Sequence, residues 1–297
     1  MTVGKKTIGE NVFDVSNTLF LSFLCIIMLY PLYYVAAASV SDGFELMRHT
    51  GPIILPLGLS TAAYRMVFNN PMIVRSFFNS VYLVAVGTTV NLIMTSFAAY
   101  VLSRKNLYWK KALMIMAIVT MLFDRGLVPF FLTVRAIGLM NTYWSVILGF
   151  AISTFNMIIM RTYFLTIPDS LEESAKMDGA NDFTILFRII LPVAKPVVAT
   201  MVLFYGVARW NGWFFVMIFL RDRLRFPMSL ILREILIGNM ADTMMGGEAA
   251  GDIGDHERIA DTIKYATTIV ATVPILLLYP FLQKHFVKGA MLGSVKG

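Results

Sequence analysis

The stretch from Ser76 to Ser103, SFFNSVYLVAVGTTVNLIMTSFAAYVLS, carries no charged side chain. A helix that crosses a bilayer needs about 20 predominantly apolar residues, and this run exceeds that length. Three more uncharged stretches cover 15–41, 136–160 and 265–283. Two further apolar stretches are interrupted, 112–134 by Asp124 and Arg125, and 196–220 by Arg209. The pattern predicts an all-α integral membrane protein, a single domain over 1–297. Six spans are expected near 18–40, 76–102, 111–133, 140–164, 195–220 and 264–284.

Composition points the same way. Charged residues make up 14% of the chain and apolar ones 58%, against about a quarter charged in ordinary soluble domains. The net charge of +7 is explained by basic residues flanking apolar spans, so nucleic acid is not an expected partner. Cys25 is the one cysteine, which excludes a disulfide framework. His49, His256 and His285 are too scattered to suggest a metal site. Lys5 and Lys6 precede an apolar run ending in Ala36-Ala37-Ala38. That run is longer than a signal-peptide core and reads as a retained first span.

Six spans place both termini on the side that also holds the loops at 102–111 and 165–195. Arg104, Lys105, Lys110 and Lys111 occupy the first of these loops, and Lys284, Lys288 and Lys296 the tail, with no acid in either. The excess of cations makes this side the cytoplasm. Arg221, Arg223 and Arg225, after the fifth span, argue against that orientation. They open the long external segment 221–263, whose glycines and acids between Asp242 and Asp255 read as a solvated linker. A calcium loop is the alternative there, without the usual ligand spacing.

Between the fourth and fifth spans, residues 168–192 read PDSLEESAKMDGANDFTILFRIILP. Asp169 or Ser170 suits a helix N-cap, and Glu172 and Glu173 suit its first turn, where the helix dipole favours acids. Gly179 permits the left-handed turn that ends a helix, and Asn181 or Asp182 caps a second one. The expectation is a helix–turn–helix joined to two spans, placed to push on the bundle when something grips it.

This segment resembles the coupling loop of ATP-binding-cassette (ABC) importer permeases, the EAA motif. Glu173-Ser174-Ala175, then Gly179, then Ile189 and Leu191-Pro192 fall at that motif's spacing, with Ser174 in place of its usual first alanine. Phe286-Val287-Lys288-Gly289 and the final Val295-Lys296-Gly297 resemble the tail of the MalG-type carbohydrate permeases. Arg209-Trp210-Asn211, Leu232-Arg233-Glu234-Ile235 and Lys264-Tyr265-Ala266-Thr267 are similar to the LplC/YtcP branch. The resemblance implies the type I permease fold of a bacterial inner-membrane importer, working on oligosaccharides. It also implies a heterodimer with a second permease, two ATPase subunits that bind ATP and magnesium, and an extracytoplasmic solute-binding protein. Glu172, Glu173, Ala175, Asp178, Gly179, Leu191 and Pro192 would then contact or shape the ATPase junction. Lys288, Gly289, Gly293 and Lys296 of the tail would reach the same ATPases. The chain has no Gly-x-x-x-x-Gly-Lys-Ser/Thr phosphate loop, so it is expected to be non-catalytic and to hold no cofactor itself. An ion-coupled carrier, with more helices and inverted repeats, and an integral-membrane enzyme are the alternatives.

The fifth span carries a second expectation. Arg209 lies 14 residues beyond Lys195, about 21 Å along a helix. A cation at that depth faces the bundle or a wet cavity rather than lipid. Tyr205, Arg209 and Trp213 recur every four residues, and Asn211 lies on a neighbouring face. Such a face suits a sugar, with rings for its apolar surfaces and a guanidinium for hydroxyls or a carboxylate. The competing reading has Trp210 and Trp213 as interfacial anchors and Arg209 snorkelling or paired with an acid such as Asp124.

Overall fold

The computed structural model describes residues 7–123, 125–244 and 262–277, with side chains placed up to residue 237 and again from 262. Among the described residues helices are the regular elements, beside one isolated bridge between Ser41 and Leu59. Their contacts divide the chain into two units, 1–70 with 235–270, and 71–234 with 271–297.

In the first unit, α1 (Ile8–Ser39) opens on a capping box. The Thr7 hydroxyl accepts from the Glu10 amide, and the Glu10 carboxylate accepts from the Thr7 amide at 2.8 Å. Apolar side chains cover the outside of α1, which suits lipid or protein neighbours rather than water. Its C-terminal Ala37 and Ala38 pack with Leu46 of α2 (Gly43–Arg48) and with Ile53. A third short helix, α3 (Ala62–Asn69), closes this segment.

The second unit is built on α4 (Pro71–Ser103), the segment quoted at the outset. Along this apolar helix runs a buried polar stripe of Ser76, Ser80, Thr88, Asn91, Thr95 and Ser96. Steps of three, four or eight residues from Ser76 to Thr95 keep those five on one helix face, with Ser96 one residue further round. In a membrane protein such small polar residues let helices approach and hydrogen-bond. Ser80 Oγ accepts from the Met228 amide at 2.8 Å, and Thr95 Oγ1 lies 2.6 Å from the Tyr205 hydroxyl.

Three of the segments expected as continuous spans are interrupted helices. The third is α5 (Lys110–Leu122) followed by α6 (Leu127–Ala136), with Gly126 at φ +69° between them. The fourth is α7 (Tyr143–Leu148) and α8 (Thr154–Phe164), parted by residues 149–153. After α9 (Asp169–Met177) and α10 (Asp182–Val193), the fifth is α11 (Lys195–Asn211) and α12 (Phe214–Phe219). Two last helices, α13 (Met228–Met244) and α14 (Thr262–Leu277), complete the described chain. Among the described residues α1 and α4 are each long and apolar enough to cross a membrane, and up to four spans count if each bent pair is one.

Two of the three arginines that opposed the predicted orientation have local side-chain partners. Arg223 pairs with Glu234 at 2.9 Å, and Arg225 pairs with Asp222 and donates to the Asn141 carbonyl. Their placement therefore answers a loop-packing need as well as any topological one.

Candidate functional site

Two constructions in the second unit draw on the residues singled out above. The first is the segment between α8 and α11. Helix α9 begins at Asp169 with Pro168 in the capping position, and no side chain caps it. Asp169 instead pairs with Lys105, whose bond holds its carboxyl below the usual carboxylate range. Glu172, expected to serve the helix dipole, is buried and gripped by Arg104 at the end of α4 and by Lys176 at 2.8 Å. The Arg104 guanidinium also lies over the Tyr100 ring, 4.5 Å from its centroid. Ala175 is buried beside them in the core that includes Ile185, Leu186 and Ile190. One face of α9 is thus fastened to the bundle.

The other face is free among the described residues. Glu173, Asp178 and Gly179 are exposed, as are Met177 and Phe183. Helix α9 ends in a Schellman motif: the Ala180 amide donates to Ala175 O at 2.9 Å, and the Gly179 amide to Lys176 O at 3.0 Å. Gly179 sits at φ +78° with open space where a Cβ would point, so its requirement is conformational. Asn181 caps α10 by accepting from the Thr184 amide at 2.8 Å. Residues Ile185–Ile190 of α10 form a π-helical segment, and α10 meets α11 at 88° just past Leu191-Pro192. Pro192 and Pro196 lack the amide hydrogens that a straight helix would use there.

The second construction is a cavity of about 560 Å³, within the usual range for small-molecule sites. Tyr205, Arg209, Asn211 and Trp213 all line it. They do so by a different geometry from the one expected. Helix α11 stops at Asn211, with the Gly212 amide donating to Arg209 O at 3.4 Å, so Trp213 lies beyond it and forms no third rung. Trp213 is instead stacked under Arg233, whose guanidinium carbon is 4.0 Å from its ring centroid. Trp210 points elsewhere, buried and donating from Nε1 to Ala271 O at 2.9 Å, so it is no interfacial anchor.

Arg209 is committed within the protein. Its Nε and Nη2 donate to Asn91 Oδ1 at 3.1 and 3.0 Å, Nη2 also to Ile147 O at 3.0 Å and Phe150 O at 3.3 Å, and Nη1 to Val146 O. The Val146 and Ile147 carbonyls are among those in the last turn of α7 that have no partner within the helix, and a cation at a helix C-terminus is favoured by its dipole. Asn91 completes the clamp by donating from Nδ2 to Phe150 O and, at 2.9 Å, to Ala151 O. Gly87 makes room for it, since a Cβ there would stand 3.0 Å from Arg209 Nε. The suggested acid partner, Asp124, lies outside the described residues, as do the tail residues Lys288, Gly289, Gly293 and Lys296. Tyr205 is likewise pinned, accepting from the Ser153 amide at 3.1 Å while bonded to Thr95.

The sequence reading missed Asn91, Gly87 and Arg104 as parts of these sites. An asparagine and a glycine inside an uncharged span were the available signal. What the cavity shares with broken spans is decisive for its character. The interruptions near 125, at 149–153 and at 212–213 all contribute lining residues. Irregular backbone within apolar spans is tolerated where it is buried in protein or lines a wet cavity.

A polytopic helical domain, with a cavity at its helix breaks and a helix–turn–helix fused to its bundle, is the design of a transport permease. The chain belongs to the family described as binding-protein-dependent transport system inner membrane component, whose model matches residues 91–291. It is 42% identical over 288 residues to the polygalacturonan/rhamnogalacturonan transport system permease protein YtcP of Bacillus subtilis (strain 168), covering 97% of this chain and 99% of that one. It is 40% identical over 293 residues to protein LplC of the same organism, covering 98% and 97%. Among solved structures it matches a chain of a bacterial ABC transporter involved in import of the acidic polysaccharide alginate. That match has a TM-score of 0.84 and 29% identity, over 95% of this chain and 99% of the other. The resemblance to the LplC/YtcP branch and the type I permease fold are thereby confirmed, and the chain is a permease subunit of an ABC importer.

Proposed function

We propose that this permease forms half of an oligosaccharide path across the bacterial inner membrane and is driven by separate ATPase subunits docking on residues 168–192. The observation that carries the coupling role is the two-faced α9. Glu172 and Ala175 are buried against the bundle, while Glu173, Met177, Asp178 and Gly179 are left for a partner. A force on the outer face passes through the Arg104–Glu172 pair to α4 and through α10 to α11. The names of YtcP and of the alginate importer specify polysaccharides, which supports a carbohydrate cargo. In this reading both termini and the α9–α10 segment are cytoplasmic. A second permease completes the path, a solute-binding protein delivers the sugar outside, and ATP and magnesium stay on the ATPases. The tail from Lys288 to Gly297 supplies a further ATPase contact.

The test is the reconstituted complex of both permeases, ATPases and binding protein. Oligosaccharide uptake should require ATP hydrolysis, and Gly179→Val should lose substrate-stimulated hydrolysis while the complex still assembles. Normal coupling in that variant would remove α9 from the drive train. Uptake that survives without ATP but collapses with the ion gradient would instead favour a secondary carrier.

A further inference from the structure

With Arg209 committed to the α7 carbonyls, the other cation lining the cavity is Arg125. It lies in the break between α5 and α6 and is exposed. Two rings hold it: its guanidinium carbon lies over Phe130, 4.3 Å from the centroid, and over Phe150 at 4.4 Å, rings themselves edge-to-face at 5.5 Å. Nη1 donates to Gly149 O at 3.2 Å. Among the described residues Nε and Nη2 have no acceptor, and no acid is among the cavity's lining residues.

Contact with ring faces takes no hydrogen-bond donor from a guanidinium, and among the described residues only Nη1 of Arg125 has an acceptor. The Nε–Nη2 edge is the planar fork that matches a carboxylate with two parallel bonds. The same cavity is lined by Phe204, Tyr205, Trp213 and Phe214, which offer flat apolar surfaces, and by Asn156 and Asn211, which offer amides. A ring that stacks, hydroxyls that bond to amides and one carboxylate together describe a uronate unit.

We propose that Arg125 is a specificity-determining residue that binds the carboxylate of an acidic saccharide as it passes this cavity. The assignment rests on the reading of the chain as a saccharide permease. Arg209 holds the wall in shape, and Arg125 reads the charge.

The experiment uses proteoliposomes carrying the complete importer, with trigalacturonate and its fully methyl-esterified form as probes. The binding protein is the same throughout, so a change in the ratio of uptake rates belongs to the permease. Arg125→Gln should lower the acid-to-ester ratio about tenfold or more, the scale of a charge-assisted hydrogen bond. Arg125→Lys keeps the charge without the fork and should fall between the two. An unchanged ratio in Arg125→Gln overturns the proposal and leaves the permease reading standing. If that variant does not assemble, an unchanged ratio in Arg125→Lys does the same. Wild-type importer that accumulates neither probe overturns the proposal and leaves the permease assignment standing.

Discussion

Asn91 and Arg209 are 118 residues apart, and Asn91 Oδ1 accepts from both Nε and Nη2 of Arg209. Removing that oxygen leaves a half-buried cation short of a partner, which costs about 1–3 kcal/mol. Asn91→Leu should therefore lower the thermal inactivation midpoint of the purified complex clearly. Gly87→Ala acts more gently, because its Cβ would meet Arg209 Nε at 3.0 Å and Cδ at 3.3 Å. Crowding of this kind costs about 1–3 kcal/mol, and the flexible arginine stem can give by a few tenths of an ångström. The midpoint should fall in the order wild type, Gly87→Ala, Asn91→Leu. A reversed order would mean that the close approach of α4 to Arg209, and not the shared acceptor, sets stability here.

Helix α9 shows how an element is held by its charges. Glu172 is buried and paired with Arg104 and Lys176, whereas Asp169 and Lys105 form an exposed pair. The Lys105 bond depresses Asp169, so this pair's support is complete above the ordinary aspartate range and is lost as pH falls through the lowered value. Lys105 is raised by the same bond, so its side of the support is lost only as pH rises past the ordinary lysine range. Amide exchange in 169–177 should thus be flat through neutrality and quicken, relative to the intrinsic rate, under acid. Lys105→Gln should abolish that acid-linked change. Glu172→Ala is the heavier lesion, since breaking a buried pair strands Arg104 and costs about 3–5 kcal/mol. It should uncouple substrate from ATP hydrolysis more severely than Glu173→Ala, measured as stimulated over basal rate in the assembled complex. Equal losses would place the coupling contact, rather than the attachment of α9, in control.

At the scale of the whole chain, three interrupted spans contribute to one cavity. Solvent access to it is open to direct measurement, because Cys25 is the one natural cysteine. In a Cys25→Ser background, Asn211→Cys should react with a small hydrophilic maleimide and be protected by saturating oligosaccharide. Ala99→Cys, at a fully buried position on α4, should stay unlabelled. Labelling of both at equal rates would deny that the cavity is a distinct wet space. Truncation of the last eight residues should reduce coupled transport while membrane insertion persists; full transport by the truncated chain would exclude the tail from coupling.

What the sequence determined was whatever depends on neighbours along the chain. Membrane solubility follows from uncharged runs such as 76–103, because hydrophobic transfer sums residue by residue. The turn at Gly179 and the cap at Asn181 follow from backbone preferences a few residues wide. The sequence also placed Tyr205, Arg209, Asn211 and Trp213 together, which the cavity lining shares. Only the tertiary structure decided what Arg209 does, because its acceptors on Asn91 and residues 146–150 reach it through packing of distant helices. It likewise moved Glu172 from the solvent side of a helix dipole to a buried pair with Arg104. A buried polar group must find partners wherever the fold brings them, and those partners are set by the packing of the bundle, not by the local sequence.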